Sequence, residues 1–136
     1  SNKSASNKFA LSSAEMETDM DITKMLPFLE GEEVNELAKR ILESGNGEWK
    51  GMQISKVLPF LDSGIVDELC RKNMENGQDY KIFLPFLSSK GMHEIVTDMM
   101  EGKLAIELDA MYPFMSKEDI KRVFYFYLEK EEAKNE

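Results

Sequence analysis

Of cysteine, histidine and tryptophan the 136-residue chain has one each, and of proline only four. A lone cysteine, Cys70, rules out an internal disulfide and fits a reducing cytoplasm. A lone histidine, His93, has no second His and no Cys nearby, so a transition-metal site there would have to borrow carboxylates from distant segments. No apolar run approaches the roughly 20 residues of a bilayer-spanning helix, and no membrane partner is expected. Basic residues are also short: 17 Lys and Arg against 26 Asp and Glu leave a net charge of -9, which opposes binding to a phosphate backbone. The nearest thing to a basic cluster, Lys117, Lys121 and Arg122, is interleaved with Glu118 and Asp119. The spaced carboxylates of an EF-hand loop and a phosphate-cradling glycine loop are both missing. We therefore expect no nucleic-acid partner, no cofactor, no resident metal and no catalysis.

What the chain does have is a pattern written four times, and all four prolines belong to it. Pro27, Pro59, Pro85 and Pro113 lie 32, 26 and 28 residues apart. Immediately before them stand Met25-Leu26, Val57-Leu58, Phe83-Leu84 and Met111-Tyr112, and immediately after them Phe28-Leu29, Phe60-Leu61, Phe86-Leu87 and Phe114-Met115. Seven, ten and eleven residues beyond each proline the apolar positions return: Val34, Leu37, Ala38; Val66, Leu69, Cys70; Met92, Ile95, Val96; Ile120, Val123, Phe124. Fourteen and fifteen beyond come Ile41-Leu42, Asn73-Met74, Met99-Met100 and Tyr127-Leu128.

Those later offsets trace one stripe of an α-helix. Its start is marked three residues after each proline by Glu30, Asp62, Ser88 and Ser116, each able to accept an orphan backbone N–H; Ser116 with Asp119 has the form of a capping box. Gly45, Gly77 and Gly102 follow the first three helices, where a left-handed residue closes the last turn. A shorter helix, opened by Asp21, Gln53, Asp79 or Glu107, precedes each. Its interior proline lacks an N–H and collides with the carbonyl one turn back, so it should kink or end there, leaving the Phe-Leu pair at an elbow that faces the longer helix.

The fold expected is all-α: four tandem αα-hairpin repeats, about 21–46, 52–77, 79–103 and 107–130, stacked as a short right-handed solenoid-like array within a single domain, 21–136. A single hairpin cannot bury its own stripe and must lean on the next. Residues 1–20, rich in Ser, Asn and Lys before turning acidic, read as a flexible leader or linker. The organisation resembles the αα-hairpin solenoids of the tetratricopeptide and HEAT kind in architecture only. The Trp, Leu-Gly and Tyr spacing of a tetratricopeptide repeat is missing, and units of 26 to 32 residues are short for HEAT.

Several residues stand out against this frame. Glu43, Glu75, Glu101 and Glu129 occur sixteen residues after each proline, an unbroken column near helix C-termini where the macrodipole does not favour them. They are candidates for an edge presented to a basic protein or peptide; solvated surface carboxylates are the plainer account. Val123 to Leu128 is six bulky residues in a row, which puts Tyr125 and Phe126 on the face that is polar in the other repeats. That face is a candidate for docking or for a homodimer through the last helix. Trp49, in the loop NGEWKGMQ, is read as a plug over the joint between the first two repeats, with an exposed aromatic anchor as the alternative. Cys70 falls in a core column and reads as a buried small hydrophobe. His93 reads as a surface histidine, Asn73 as the cap of its helix, and Met92, Met99 and Met100 as core, with an adaptable peptide groove as the other possibility. The function expected is a non-enzymatic protein–protein interaction module, with a homo-oligomeric scaffold as the alternative and an ion-binding protein or enzyme using His93 as the third.

Overall fold

The proline is what shapes each segment in the computed structural model, which describes residues 21–135; the expected leader, residues 1–20, lies outside them. Three times a single helical turn runs into a 3₁₀ turn at the proline: α1 (Ile22–Met25) into Leu26–Phe28, α3 (Ile54–Val57) into Leu58–Phe60, and α6 (Leu108–Met111) into Tyr112–Phe114. The missing N–H costs nothing at the start of a new turn, so the helix tightens and ends at the proline. The closing bond is the same each time, from the N–H of the residue two past the proline to the carbonyl just before it, at 3.2 to 3.4 Å. That donor residue is extended in all four copies: Leu29 at φ -84, ψ 149, Leu61 at -82, 148, Leu87 at -66, 146 and Met115 at -84, 148.

The residue before proline ordinarily avoids the helical region. Leu26, Leu58 and Tyr112 nevertheless sit in it. Burial offsets the strain in the first two, whose side chains are fully enclosed, while Tyr112 stays largely exposed. The third segment departs from the others: the shortest proline spacing leaves no α turn, and Lys81–Phe86 is 3₁₀ throughout.

After each elbow a longer helix begins: α2 (Gly31–Glu43), α4 (Ser63–Glu75), α5 (Ser89–Met100) and α7 (Lys117–Lys134). We call each proline segment with its long helix a unit. The expected caps are in place: Ser88 and Ser116 accept from the third residue of their helices, Gly91 N at 2.9 Å and Asp119 N at 3.1 Å, Glu30 forms a capping box with Glu33, whose carboxylate accepts from Glu30 N at 3.3 Å, and Asp62 holds its place without a side-chain bond. Gly45, Gly77 and Gly102 have φ of 82, 67 and 78°, and Gln78 N to Asn73 O and Lys103 N to Asp98 O, both 2.8 Å, wrap the ends of α4 and α5. The Asn73 side chain does not cap its helix, whose C-cap is Asn76; its amide donates to the Asp79 carbonyl at 2.7 Å and ties α4 to the segment that follows.

Packing joins elements that are neighbours in the chain: α2 with α3, α4 with the 81–86 turn and with α5, and α5 with α7. The core runs from Leu26 to Val123 and contains Val34, Ile41, Val57, Val66, Phe83 and Ile95. Of the phenylalanines after the prolines, Phe86 packs against it, partly buried, while the other three do not join it as expected. Phe28, Phe60 and Phe114 are exposed, because the elbow turns the chain outward there; in the first two of these units it is Leu26 or Leu58, before the proline, that points in. One element was not anticipated: a two-residue antiparallel ribbon, β1 (Glu48–Trp49) with β2 (Met52–Gln53), in the loop after α2. Lys50 and Gly51 link its strands with φ of 48 and 78°, the pair of positive values a tight hairpin needs.

Candidate interaction surface

Helix α7 is the longest, and its sequence accounts for that. Ser116 caps it, Glu118 and Asp119 complement the dipole in its first turn and Lys134 in its last, and no Gly or Pro interrupts it. One side is core: Val123 is buried, Asp119 is 2% exposed, and Phe126 is half-buried. A neighbouring stripe is bare. Ile120 (40% exposed), Phe124 (54%), Tyr127 (58%) and Leu128 (37%) follow a helical repeat; the first three occupy columns filled in the other long helices by Val34, Cys70 and Ile41, all buried, while Leu128 shares its column with buried Met74 and exposed Leu42. Together with Met99 and Tyr112, the side chains of Ile120, Phe124 and Tyr127 line an open groove of about 580 Å³ whose one charged wall is Lys130, and Leu128 lies outside it.

Two of the aromatic assignments therefore exchange places. Phe124 belongs to a core column and is exposed; Phe126 was expected to face outward and is half-buried, with Lys130 Nζ 5.2 Å from its ring centre. Tyr125 does face outward and meets Phe124 edge-on at 5.3 Å. The reason is rotational: at 100° per residue, six consecutive bulky residues cover the whole circumference of the helix, and what α5 happens to cover decides which of them are hidden.

Beside the apolar contacts runs a set of polar links eight residues after the prolines. Asp67 on α4 accepts from Ser88 N at 2.9 Å and, in a very short bond, from the Ser88 hydroxyl. Gly91 makes room for it, since a Cβ there would collide with the carboxylate. His93 holds the same position on α5, and its Nδ1 is 2.9 Å from Asp119 Oδ1 on α7. Arg122 Nη1 donates to that oxygen at 2.8 Å, and its Nη2 reaches Thr97 Oγ1. Burial works against ionisation of Asp119, but the bonds from Arg122 and His93 outweigh it and hold the carboxyl below its ordinary value. Arg71 pairs across to Asp98 in the same way. Asn35 occupies the corresponding place on α2, where its Oδ1 is buried without a partner.

These contacts settle where three other candidates lie. Asp119 does not complete a capping box with Ser116; its side chain is spent on the α5–α7 junction. His93 is about half exposed, and its Nδ1 is taken up by Asp119 and the Arg122 guanidinium, which lies 3.0 Å from it. Among the described residues no cluster of three His, Cys, Asp or Glu could hold a metal ion, and no helix is long and apolar enough to cross a membrane. Cys70 is fully buried, and burial, aided by the Asp67 charge, pushes its thiol up to about 12, which makes it inert.

The acidic column is uneven. Glu75 pairs with Arg71 at 3.0 Å and Glu101 with Lys103 at 2.9 Å, while Glu43 ends α2 and Glu129 lies in the middle of α7. Near α2 the ion pair runs instead between Glu36 and Arg40 at 3.2 Å. Trp49 is half-buried and, with Ile22, Met25, Leu29 and Leu37, lines a shallower groove of about 310 Å³ on the first unit. Arg40 and Lys50 stand over its ring at 5.9 and 5.6 Å. The ribbon thus lays an aromatic across that face, whereas no described element lies across the stripe on α7.

The chain matches no protein-family model, no characterised protein and no solved structure.

Proposed function

We propose that the protein is a non-enzymatic protein–protein interaction module whose four units lean on one another as αα-hairpins in a short solenoid-like array. One observation carries this: the apolar columns at seven, eleven and fourteen residues after the proline, buried at Val34, Cys70 and Ile41, are bare on α7 at Ile120, Phe124 and Tyr127. Burying such a surface is the main driving force for association, and a patch of this kind on a soluble protein marks a docking site. The partner surface is apolar at its centre, and the carboxylates at Glu43 and Glu129, with those at Glu75 and Glu101 already paired, favour basic residues at its rim.

The test is capture from native lysate with wild type, Phe124→Glu, and a chain carrying Ala at 43, 75, 101 and 129. Loss of a specific partner with Phe124→Glu supports the α7 face, and loss with the four alanines supports the acidic edge. Identical captured sets from all three chains remove both surfaces. A second reading, a homo-oligomeric scaffold, draws on the same bare stripe.

A further inference from the structure

The charges at the ends of the stripe say what fits it. On α7 the face that carries Ile120, Phe124, Tyr127 and Leu128 continues one helical repeat outward to Lys117 at one end and Glu131 at the other. Phe124 is the midpoint: Ile120 and Leu128 lie four residues to either side of it, Lys117 and Glu131 seven. Two copies of such a helix, run antiparallel about a two-fold axis beside Phe124, bring ring to ring at the centre, Ile120 against Leu128 twice, and Lys117 against Glu131 twice. In the parallel arrangement Lys117 meets Lys117 and Glu131 meets Glu131.

We propose that the α7 face closes on the same face of a second copy of this chain, in that antiparallel register. This rests on the docking reading above and specifies its partner. Half of the roughly 200 Å² of an aromatic side chain, at Phe124 and Tyr127, with the exposed parts of Ile120, Leu128 and Tyr112, gives each copy an apolar centre on the order of 400 Å². With its rim this approaches the ~800 Å² per partner of a standard interface. A head-to-tail chain of copies would need an acceptor on the first unit's outer face, where the groove lined by Trp49 is flanked by Glu33, Glu36 and Arg40 and lacks the symmetric Lys–Glu rim of α7. Closed two-fold pairing leaves Trp49 in place and gives one size of assembly. Glu131 also bonds Lys134 of its own helix at 3.3 Å, an exposed contact it can share with or yield to Lys117 of the second copy.

The experiment is sedimentation velocity on the full chain from low to several hundred micromolar. We expect a monomer–dimer equilibrium that Phe124→Glu weakens at least a hundredfold. Lys117→Glu and Glu131→Lys should each weaken it about tenfold, because each turns two attractive rim pairs into repulsive ones. Mixed one to one, these two variants should recover association, since one copy then offers two acids and the other two bases at the matching places. All three positions are at the surface, and helical dichroism confirms that the variants are folded. A wild-type monomer at the highest concentration overturns the proposal, as do assemblies that keep growing beyond two copies, or a dimer that the charge reversals and their mixture leave unchanged. A monomer that still loses a captured partner on Phe124→Glu removes the second copy alone; one whose capture is also unaffected removes the docking surface with it.

Discussion

The first three units and the last carry the same apolar columns and meet different fates. Fourteen residues after its proline, unit one has Ile41 with no exposure and unit four has Tyr127 at 58%; eleven after, unit two has buried Cys70 and unit four has Phe124 at 54%. Helical periodicity decides that a residue belongs to a stripe, but burial depends on whether another element is laid over that stripe. In α2, α4 and α5 the following unit supplies the cover; on α7 no described element does.

The sharpest way to break this comparison is to shorten the same column at both ends. Ile41→Ala should cost about 3 kcal/mol in urea unfolding, the usual penalty for a cavity in a closed core. Tyr127→Ala, measured at low protein concentration, should cost less than about 1 kcal/mol. Equal losses would mean that the α7 stripe is covered after all.

A second test compares glycines in two adjacent helices. Gly91→Ala drives a methyl into the Asp67 carboxylate and its bonds to Ser88, so it should destabilise by about 2 kcal/mol in spite of alanine's better helix propensity. Gly64→Ala on α4 has open space around it and should be neutral or stabilising by about 0.5 kcal/mol.

The α5–α7 junction is tested by Asp119→Asn, with an expected loss of about 1–2 kcal/mol as Arg122 and His93 lose a buried acceptor. The sign with pH follows from the depressed carboxyl. Asp119 contributes fully above its unfolded value near 4 and loses that contribution as pH falls through its lower folded value, so the variant's deficit should shrink in acid. A deficit that grows below pH 4 would contradict the assignment. The smallest effect belongs to the acidic column: Glu43→Ala and Glu75→Ala should each change stability by no more than about 0.5 kcal/mol, since both are surface groups.

Much of this was legible in the residues. Four ungapped copies of one pattern located the long helices, their caps at Glu30, Asp62, Ser88 and Ser116, and the break at each proline, because propensity and periodicity act locally. The ribbon at Trp49 was not legible, since strands of two residues carry no periodic signal and Lys50 is an unusual residue for its left-handed turn. The Asp67–Ser88 and His93–Asp119 links were hidden for another reason: their partners lie in different units, 21 and 26 residues apart, and no local rule pairs them. A polar residue eight after each proline, beside the apolar column at seven, was the available clue. Phe124 and Phe126 exchanged places because a wholly bulky segment gives the helix no polar side to fix its rotation.

The placement of Trp49 has a practical consequence. It is the only indole in the chain and it rests on the first unit, so its fluorescence watches one end of the molecule while far-ultraviolet dichroism watches every helix at once. Where packing runs mainly between elements that are neighbours in the chain, the ends can fray before the middle. If the ribbon end loosens first, emission will change at lower denaturant than ellipticity; if the two curves superimpose, melting is a single concerted event from Trp49 to the tip of α7.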